Sequence, residues 1–363
     1  MIISDEFFMD LAIRQAWKYS VLTYPNPSVG CVILDKNGTL LSCQAHKKAG
    51  FLHAEPTAIL FALFKLNEQI FFDFTKAYYD KFFVKFLSIK ELEEYDLESN
   101  FTYKFILENH SNLLKDAKAY VTLEPCTHHG KTPPCVNLFI RLKFKDVIIS
   151  CMDFNDIASG GIELLKQHNI NTKVGVCVEN GRELIYPFLS WQKGNFSFLK
   201  LAISLNGVIT GGIISNALSR THSHKLRDVS ELLIIGGNTV RIDRPTLDTR
   251  LIQNGKNPDV LIYSRQNDFD KNIPLFGVKD RKVFISNSLE NLEKKLVMYE
   301  GGAGMLKLAF DGKIPNLKRV LLYKSNELKD GENIKFKNSF RPIFESNFEN
   351  DNYGWYEINQ DLS

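Results

Sequence analysis

The residues with the clearest chemical potential lie in two short stretches, HAE from His53 to Glu55 and PCTHHGKTPPC from Pro125 to Cys135. His53, Cys126 and Cys135 together offer one imidazole and two thiolates, a ligand set that suits tetrahedral Zn²⁺ with its fourth position open to water. Zinc lowers the pKa of such a water toward about 7, and Glu55 lies close enough to carry its proton. The combination predicts a hydrolytic zinc deaminase.

A covalent or redox role suits the two cysteines less well than a metal site. A disulfide or redox pair between Cys126 and Cys135 is not expected, because the cytosol keeps thiols reduced. Eight residues separate the two cysteines, more than in the general deaminase signature, but the proline pair before Cys135 favours a helix start that still permits the geometry. A structural zinc site stays open as an alternative, with His128 or His129 as a fourth ligand, as does a site without metal.

Composition limits the remaining function classes. A length of 363 residues fits about two domains, and 44% hydrophobic with 24% charged residues is ordinary for a globular protein. The net charge of +3 and the lack of a basic block disfavour nucleic acid as a partner. No apolar stretch reaches the roughly 20 residues that a membrane span needs. The N-terminal stretch predicts an amphipathic helix rather than a signal peptide, so a cytoplasmic location is expected.

The candidate ligands fall at junctions between predicted strands and helices. SVGCVILD and LLSCQAH flank a turn and predict a hairpin, and HAEPTAILFALFKL has helical periodicity. The strand AYVTLE, the helix PPCVNLFIRLKF and the strands DVIISCM and TKVGVCV follow. This alternation predicts an α/β domain with a largely parallel sheet.

A segment of different character, about residues 65–115, interrupts this pattern. It is dense in Phe, Tyr, Lys and Glu and contains no Gly or Pro. We predict two or three amphipathic helices, since the segment is too aromatic for a disordered linker. As an insertion it is expected either to cap the first domain or to contribute to an interface between subunits.

A second unit begins near YPFLSWQKGNFSFLK. FSFLKLAISLNGVIT has two apolar runs around Asn206 and Gly207 and predicts a hairpin. The strand-like runs ELLIIGG, PDVLIYS, KVFIS and RVLLYKS follow, and the glycines of YEGGAGML come directly after another strand. The second half is therefore also predicted to be α/β.

Several motifs resemble one known family, the bifunctional deaminase/reductase of riboflavin biosynthesis. They are YPNPSVGCVI, AHKKAGFLHAE, VTLEPCTHHGKTPPC, KLAISLNG, GGNTVRIDRPTLDTR and YEGGAG. The resemblance covers both halves and leaves out mainly the insertion. It implies a cytidine-deaminase-like three-layer domain over residues 1–192, with the insertion at about 65–115, and a dihydrofolate-reductase-like domain over residues 193–363. A homo-oligomer is also expected.

The resemblance implies site residues in the first half. His53, Cys126 and Cys135 are implied as zinc ligands, and Glu55 as proton donor and acceptor. The residues implied to hold an aminopyrimidine and its ribose phosphate are Asn26, His46, Lys131 and Asn155. Asn26 lies between two prolines, so a turn accounts for it equally well.

In the second half the resemblance implies a site for NADPH and a ribose phosphate. The residues implied around the substrate are Lys200, Ser215, Arg227, Leu247, Arg250 and Glu300. Those implied to contact NADPH are Thr239, Asp243, Gly301, Gly302 and Gly304. Two arginines and a lysine would suit a phosphate, because a guanidinium fork matches its geometry. The GGAG run alone would be typical of an ordinary loop.

The implied activity is a sequence of two reactions. Zinc-dependent hydrolytic deamination of 2,5-diamino-6-(5-phosphoribosylamino)pyrimidin-4(3H)-one is followed by NADPH reduction of the ribosyl group to ribityl. One alternative is a deaminase whose C-terminal domain has lost reductase activity, since Asn206 and Arg244 replace the family's aspartates. Another is a nucleic-acid editing protein, which the lack of a basic patch disfavours.

Overall fold

The computed structural model describes residues 3–128, 130, 132–153, 159–210, 212–290, 292–335 and 338–359. The chain divides into two compact units, Met1–Phe188 and Leu189–Ser363. None of the helices in the described ranges combines the length and the apolar character that crossing a membrane requires.

The first unit is built around a mixed sheet. Its strands are β1 (Gly30–Leu34), β2 (Leu40–Ala45), β3 (Lys118–Leu123), β4 (Asp146–Cys151) and β5 (Asn171–Val174). Its helices are α1 (Asp5–Trp17), α2 (Ala54–Leu66), α3 (Glu68–Phe82), α4 (Ile89–Glu94), α5 (Ser99–Asn109), α6 (Cys135–Arg141), α7 (Gly161–Gln167) and α8 (Val178–Lys193), of which α8 ends in the second unit.

The strand order of this sheet is β2-β1-β3-β4-β5. The predicted hairpin is present as β1 and β2, while β3, β4 and β5 run parallel. β1 is also antiparallel to β3. The expectation of a largely parallel sheet is therefore wrong for half of the pairings, because the hairpin inserts its first strand beside β3 and both contacts of that strand are antiparallel.

Helices cover the two faces of this sheet. Cys31 and Ile33 of β1 belong to the core cluster that contains the apolar face of α2. Gly30 points to the other face, where a Cβ atom would lie 2.0 Å from the carbonyl oxygen of Ala12 in α1. Side chains alternate across a strand, so α1 and α2 lie on opposite faces and form three layers with the sheet. Only glycine permits so close an approach of α1.

The insertion holds the helices α3, α4 and α5, in agreement with the prediction of two or three helices. Each begins with a side-chain cap, from Asn67, Ser88 and Glu98 respectively. Their apolar faces join the core cluster of α2 and the sheet. The insertion is therefore part of the hydrophobic core of the first unit, as an aromatic-rich segment requires.

The second unit contains a larger sheet, in the order β12-β13-β11-β6-β10-β7-β8-β9. Its strands are β6 (Phe196–Ile203), β7 (Leu232–Gly236), β8 (Asp259–Tyr263), β9 (Val283–Ser286), β10 (Leu296–Glu300), β11 (Leu317–Lys324), β12 (Phe340–Phe348) and β13 (Asp351–Ile358). Its helices are α9 (Ala217–Val229), α10 (Gly237–Asp243) and α11 (Ala303–Phe310), with a 3₁₀ turn at Pro274–Gly277. The strands from β11 to β9 in this order are parallel, and β13 and β12 add an antiparallel edge.

The hairpin predicted around Asn206 and Gly207 is not formed. A turn is present, with Gly207 at a φ of 80°, but the chain beyond it pairs through Val208 with Asn333. The physical reason is that both edges of β6 are already hydrogen-bonded, to β10 on one side and β11 on the other. The turn at Asn206 and Gly207 therefore does not lead to a hairpin, because no edge of β6 is left for a returning strand to pair with.

Candidate functional site

Two helix starts and one strand end bring the three predicted zinc ligands together. His53 is the N-cap of α2, Cys135 is the first residue of α6, and Cys126 follows β3. Their ligand atoms all lie within 4.8 Å of one another. The positive ends of two helix dipoles face this point and favour negatively charged thiolates there.

The two cysteines of the cluster are not joined in a disulfide. Nδ1 of His53 lies 3.3 Å from Sγ of Cys135 and 3.8 Å from Sγ of Cys126. The six cysteines, all in the described part of the chain, are free thiols. A hydrogen bond from the Cys135 thiol lowers the pKa of Cys126 to about 4, with His53 adding to this effect against burial. A thiolate is therefore available to bind a metal.

Thr132 orients the histidine. Its Oγ1 lies 3.1 Å from Nε2 of His53, so an Nε2–H that donates to this hydroxyl leaves the Nδ1 lone pair directed at the two sulfur atoms. Such outer partners fix the tautomer of a metal-binding imidazole. The donor set of one imidazole and two cysteine sulfurs therefore fits zinc, with a position left for water, and the Cys135 thiol would lose its proton on binding the metal.

Glu55 lies beside this cluster in the first turn of α2 and is only 3% exposed. Burial, and next the charge of Cys126, raise its pKa to about 7. A carboxyl group with such a pKa can both take up and release a proton near neutral pH.

Two of the predicted pocket residues lie in contact next to the ligand imidazole. Nδ1 of His46 donates to the carbonyl of Leu52 at 3.0 Å, and Nε2 then accepts from Nδ2 of Asn26 at 3.1 Å. Burial and the neighbouring His53 lower the pKa of His46 to about 3, so the ring is neutral. The backbone of Asn26 also closes a turn with Thr23, so the turn and the side-chain contact with His46 coexist at this residue.

The other two predicted pocket residues, Lys131 and Asn155, lie outside the described residues. The sequence analysis missed Glu124, whose buried carboxylate accepts hydrogen bonds from the backbone N–H groups of Asp153, Gly160 and Ile162 at 3.0–3.2 Å. Its position directly before Pro125 and the ligand Cys126 was the sequence feature that could have indicated a role near the site. This carboxylate ties the end of β3 to the start of α7.

The second unit has a cleft of about 830 Å³ at the carboxyl ends of β6, β7 and β10. Ligands of open α/β sheets bind at such an edge. The predicted residues that line this cleft are Lys200, Ser215, Arg227, Thr239, Asp243, Leu247, Glu300, Gly301, Gly302 and Gly304. The structure thus brings together side chains that are separated by about a hundred residues in sequence.

A buried ion pair forms one wall of the cleft. Nε of Arg227 donates to Glu300 at 2.6 Å and a second guanidinium nitrogen donates at 2.9 Å, while Nζ of Lys200 lies 3.9 Å away. Burial alone would raise the pKa of Glu300, but the charges of Arg227 and then Lys200 bring it down to about 2. Glu300 is therefore ionised and neutralises part of the positive charge.

Arg250 does not join this group. It pairs with Asp248 at 2.7 Å with its side chain 57% exposed, and it is not among the described residues that line the cleft. Arg220 lines the cleft instead and was missed by the sequence analysis. Of the two arginines and the lysine that were expected to converge, Arg227 and Lys200 line the cleft and Arg250 does not, while Arg220 lines it unpredicted.

The sequence analysis also missed His224, which lines the same cleft one helical turn before Arg227 on α9. Its Nδ1 is buried and has no hydrogen-bond partner among the described residues. Burial, followed by the charge of Arg227, lowers its pKa to about 4, so the ring is neutral. The i, i+3 spacing from Arg227 was the signal available in the sequence.

The cleft also fits a dinucleotide. Its volume lies in the range of small-molecule and cofactor sites, and α10 and α11 begin at glycine-rich turns on its wall. Backbone N–H groups at helix starts bind phosphate oxygens. Thr239 and Asp243 lie on α10 and the glycine run precedes or begins α11, so the residues predicted to contact NADPH border one continuous space.

Comparison with known proteins agrees with this arrangement. Residues 2–151 match the family described as the cytidine and deoxycytidylate deaminase zinc-binding region. The chain is 31% identical over 325 residues to the riboflavin biosynthesis protein RibD of Aquifex aeolicus, an alignment that covers 87% of this chain and 76% of that protein. It is 33% identical over 308 residues to RibD of Synechocystis, covering 81% and 70%. With RibD of Escherichia coli, 29% identical over 273 residues, the alignment covers 73% of this chain but only 61% of the relative.

Solved structures share the fold over nearly the whole chain. One is the diaminohydroxyphosphoribosylaminopyrimidine deaminase/5-amino-6-(5-phosphoribosylamino)uracil reductase of Thermotoga maritima, with a TM-score of 0.59, 23% identity and 98% of each chain covered. Another is RibD of Acinetobacter baumannii, with a TM-score of 0.57, 23% identity and coverage of 98% and 99%. The predicted fold class, a deaminase-like domain followed by a reductase-like domain, is confirmed. By its sequence, this chain belongs to the RibD family of riboflavin biosynthesis proteins, enzymes that join a deaminase to a reductase.

Proposed function

We propose that the first domain, over residues 1–192, removes an amino group from 2,5-diamino-6-(5-phosphoribosylamino)pyrimidin-4(3H)-one. One water molecule is consumed, the carbon–nitrogen bond to the amino group breaks, and a carbonyl group and ammonia are formed. The observation that carries this proposal is the cluster of His53, Cys126 and Cys135 with the buried Glu55 beside it. A zinc ion held by these three ligands would supply activation of the attacking water.

The protein's own groups then perform the proton transfers. Glu55 takes a proton from the water and delivers it to the leaving amino group, for which its burial and its place in the first turn of α2 suit it. Asn26 and the neutral His46 hold the heterocycle. The amide of Asn26 pairs with donors and acceptors on its edge, and His46, whose two ring nitrogens bond Leu52 and Asn26, holds that amide in place. Lys131 and Asn155 complete the proposed contacts to the pyrimidine and its ribose phosphate.

The second domain, over residues 193–363, is proposed to reduce the ribosyl group of the deaminated product to ribityl. NADPH, when bound, would supply the hydride for the sugar carbon, and a proton from water would complete the reduction. Lys200, Arg227 and Glu300 form the charged wall against the substrate, with Ser215 and Leu247 as further substrate residues. The residues proposed to hold NADPH are Thr239, Asp243, Gly301, Gly302 and Gly304.

The decisive experiment follows ammonia and NADPH separately in Glu55→Gln. We expect this variant to keep its zinc, to lose ammonia release by at least about 10²-fold because the proton carrier is gone, and still to oxidise NADPH with the deaminated substrate. Ammonia release at the wild-type rate would refute the proposed role of Glu55.

A reciprocal variant serves as the matched control. Arg227→Lys retains a charge beside Glu300 but loses the two-pronged hydrogen bond. NADPH oxidation should fall while ammonia release stays unchanged. If the wild-type chain oxidises no NADPH above background with the deaminated substrate, the alternative of a C-terminal domain without reductase activity is correct.

The setting of these reactions is part of the same proposal. We also propose a cytoplasmic, homo-oligomeric enzyme that acts on a small-molecule substrate, without nucleic acid or membrane partners. The weak net charge of +3 supports the absence of a nucleic-acid partner. Sedimentation of the purified chain would give the subunit number, and binding of a polynucleotide at low salt would contradict the proposal.

A further inference from the structure

The helical insertion packs directly on the helix that carries His53 and Glu55. Phe64 of α2 lies 5.5 Å from Phe71 and 5.7 Å from Phe74, measured between ring centroids. Phe74 in turn meets Phe105 of α5 edge to face at 5.0 Å. Close aromatic contacts of this kind resist displacement. The insertion and the ligand-bearing α2 therefore share one rigid core.

The same insertion reaches the second ligand-bearing helix through one hydrogen bond. The hydroxyl of Tyr103 on α5 donates to the carbonyl oxygen of Pro134 at 3.0 Å. Pro134 is the N-cap of α6 and is bonded to Cys135, the first residue of that helix. Tyr103 is only 8% exposed, and burial raises its pKa to about 12, so the hydroxyl keeps its proton and remains a donor.

We infer that the insertion braces the metal site, with Tyr103 as a positioning residue that holds the Pro134–Cys135 backbone in place relative to His53. The inference rests on the proposed zinc site. A metal site keeps its affinity only if its ligands stay within a few tenths of an ångström of the required geometry. The N-cap residue Pro134 makes no side-chain capping bond at the start of α6. The hydrogen bond from Tyr103 to its carbonyl oxygen therefore restrains this helix start from outside the helix.

The test compares Tyr103→Phe with Tyr78→Phe. The first removes only the hydroxyl that contacts Pro134. The second removes a hydroxyl of the same insertion that accepts from the backbone N–H of Glu98 at 3.1 Å, and this hydroxyl has no hydrogen bond to the described residues of the 125–135 loop. Both are read out by the rate at which the zinc-loaded full chain releases zinc to a coloured chelator, with thermal unfolding of each variant measured alongside.

We expect zinc release from Tyr103→Phe to be about tenfold faster than from the wild type, as for loss of other outer partners of metal ligands, and release from Tyr78→Phe to match the wild type. Equal rates in Tyr103→Phe and the wild type would overturn the inference. So would an equal acceleration in both variants, because general loosening of the insertion would then account for it. If the wild-type chain binds no zinc, the proposed function itself fails, and the inference fails with it.

Discussion

At the scale of single residues, Glu300 shows how one carboxylate organises the reductase cleft. It occupies the position on β10 that pairs in register with Lys200 on β6. Its two carboxylate oxygens accept hydrogen bonds from two nitrogens of the Arg227 guanidinium. Its side chain is only 9% exposed. A buried charge of this kind is tolerated only when its partners are present.

This arrangement predicts a pH-dependent loss of stability. The pKa of Glu300 is lowered from an ordinary 4.5 to about 2, so its contribution is complete above pH 4.5 and is lost as the pH falls from there toward 2. Glu300→Gln should lower the free energy of unfolding of the second domain by about 3 kcal/mol at pH 7. The difference from the wild type should shrink as the pH approaches 2.

Thermal and denaturant unfolding across this pH range measures the effect. Glu327→Gln is the matched control, because Glu327 is 66% exposed in its pair with Lys329 and such pairs contribute about 0–1 kcal/mol. A constant difference between wild type and Glu300→Gln from pH 7 to pH 2 would contradict the assigned ionisation.

At the scale of elements, α3 presents two faces of opposite character. Phe74 is fully buried in the aromatic cluster, whereas Phe72, two residues earlier on the same helix, is 52% exposed. Because an α-helix has about 3.6 residues per turn, side chains two residues apart point to nearly opposite sides of it. Substituting Phe74 and Phe72 in turn therefore separates the effect of losing a packed ring from the effect of losing any aromatic residue of α3.

Phe74→Ala should lower the free energy of unfolding of the first domain by about 3–5 kcal/mol, since it leaves a cavity among packed rings. Phe72→Ala should change it by no more than about 0.5 kcal/mol. Denaturant unfolding of both variants measures this contrast. If the two substitutions cost the same, the insertion is not part of the core.

At the scale of the whole molecule, the chain carries two sites in separate compact units. The proposed metal ligands all lie before residue 189, and the residues that line the reductase cleft all lie after it. The metal chemistry and the hydride chemistry are therefore expected to be separable.

Removal of zinc with a chelator should abolish ammonia release from the diaminopyrimidinone and leave NADPH oxidation with the deaminated substrate unchanged. Restoring zinc should restore ammonia release, whereas Mg²⁺ should not, because thiolate ligands select soft metals. Loss of both activities on chelation would show that the second domain also depends on the metal.

Local patterns predicted much of this molecule correctly. The predicted helix at the N-terminus is present as α1 and begins after Ser4, whose side chain accepts from the N–H of Phe7. The three helices of the insertion follow from its composition. β12 and β13 were not predicted, because Pro342 and Gly354 interrupt them and such residues usually weaken a strand. Their pairing with each other and with β11 outweighs that preference.

The sequence by itself determined the family, the fold class and the identity of the candidate ligands, because ligand chemistry depends on residue type and on order along the chain. Tertiary structure alone decided which side chains meet. It directed the hydroxyl of Thr132 to His53, joined Tyr103 of the insertion to Pro134, and placed Arg220 rather than Arg250 in the cleft. These contacts join segments that are distant in sequence. They depend on which strands pair with each other and on which face of a sheet each helix packs, and a local sequence pattern contains neither.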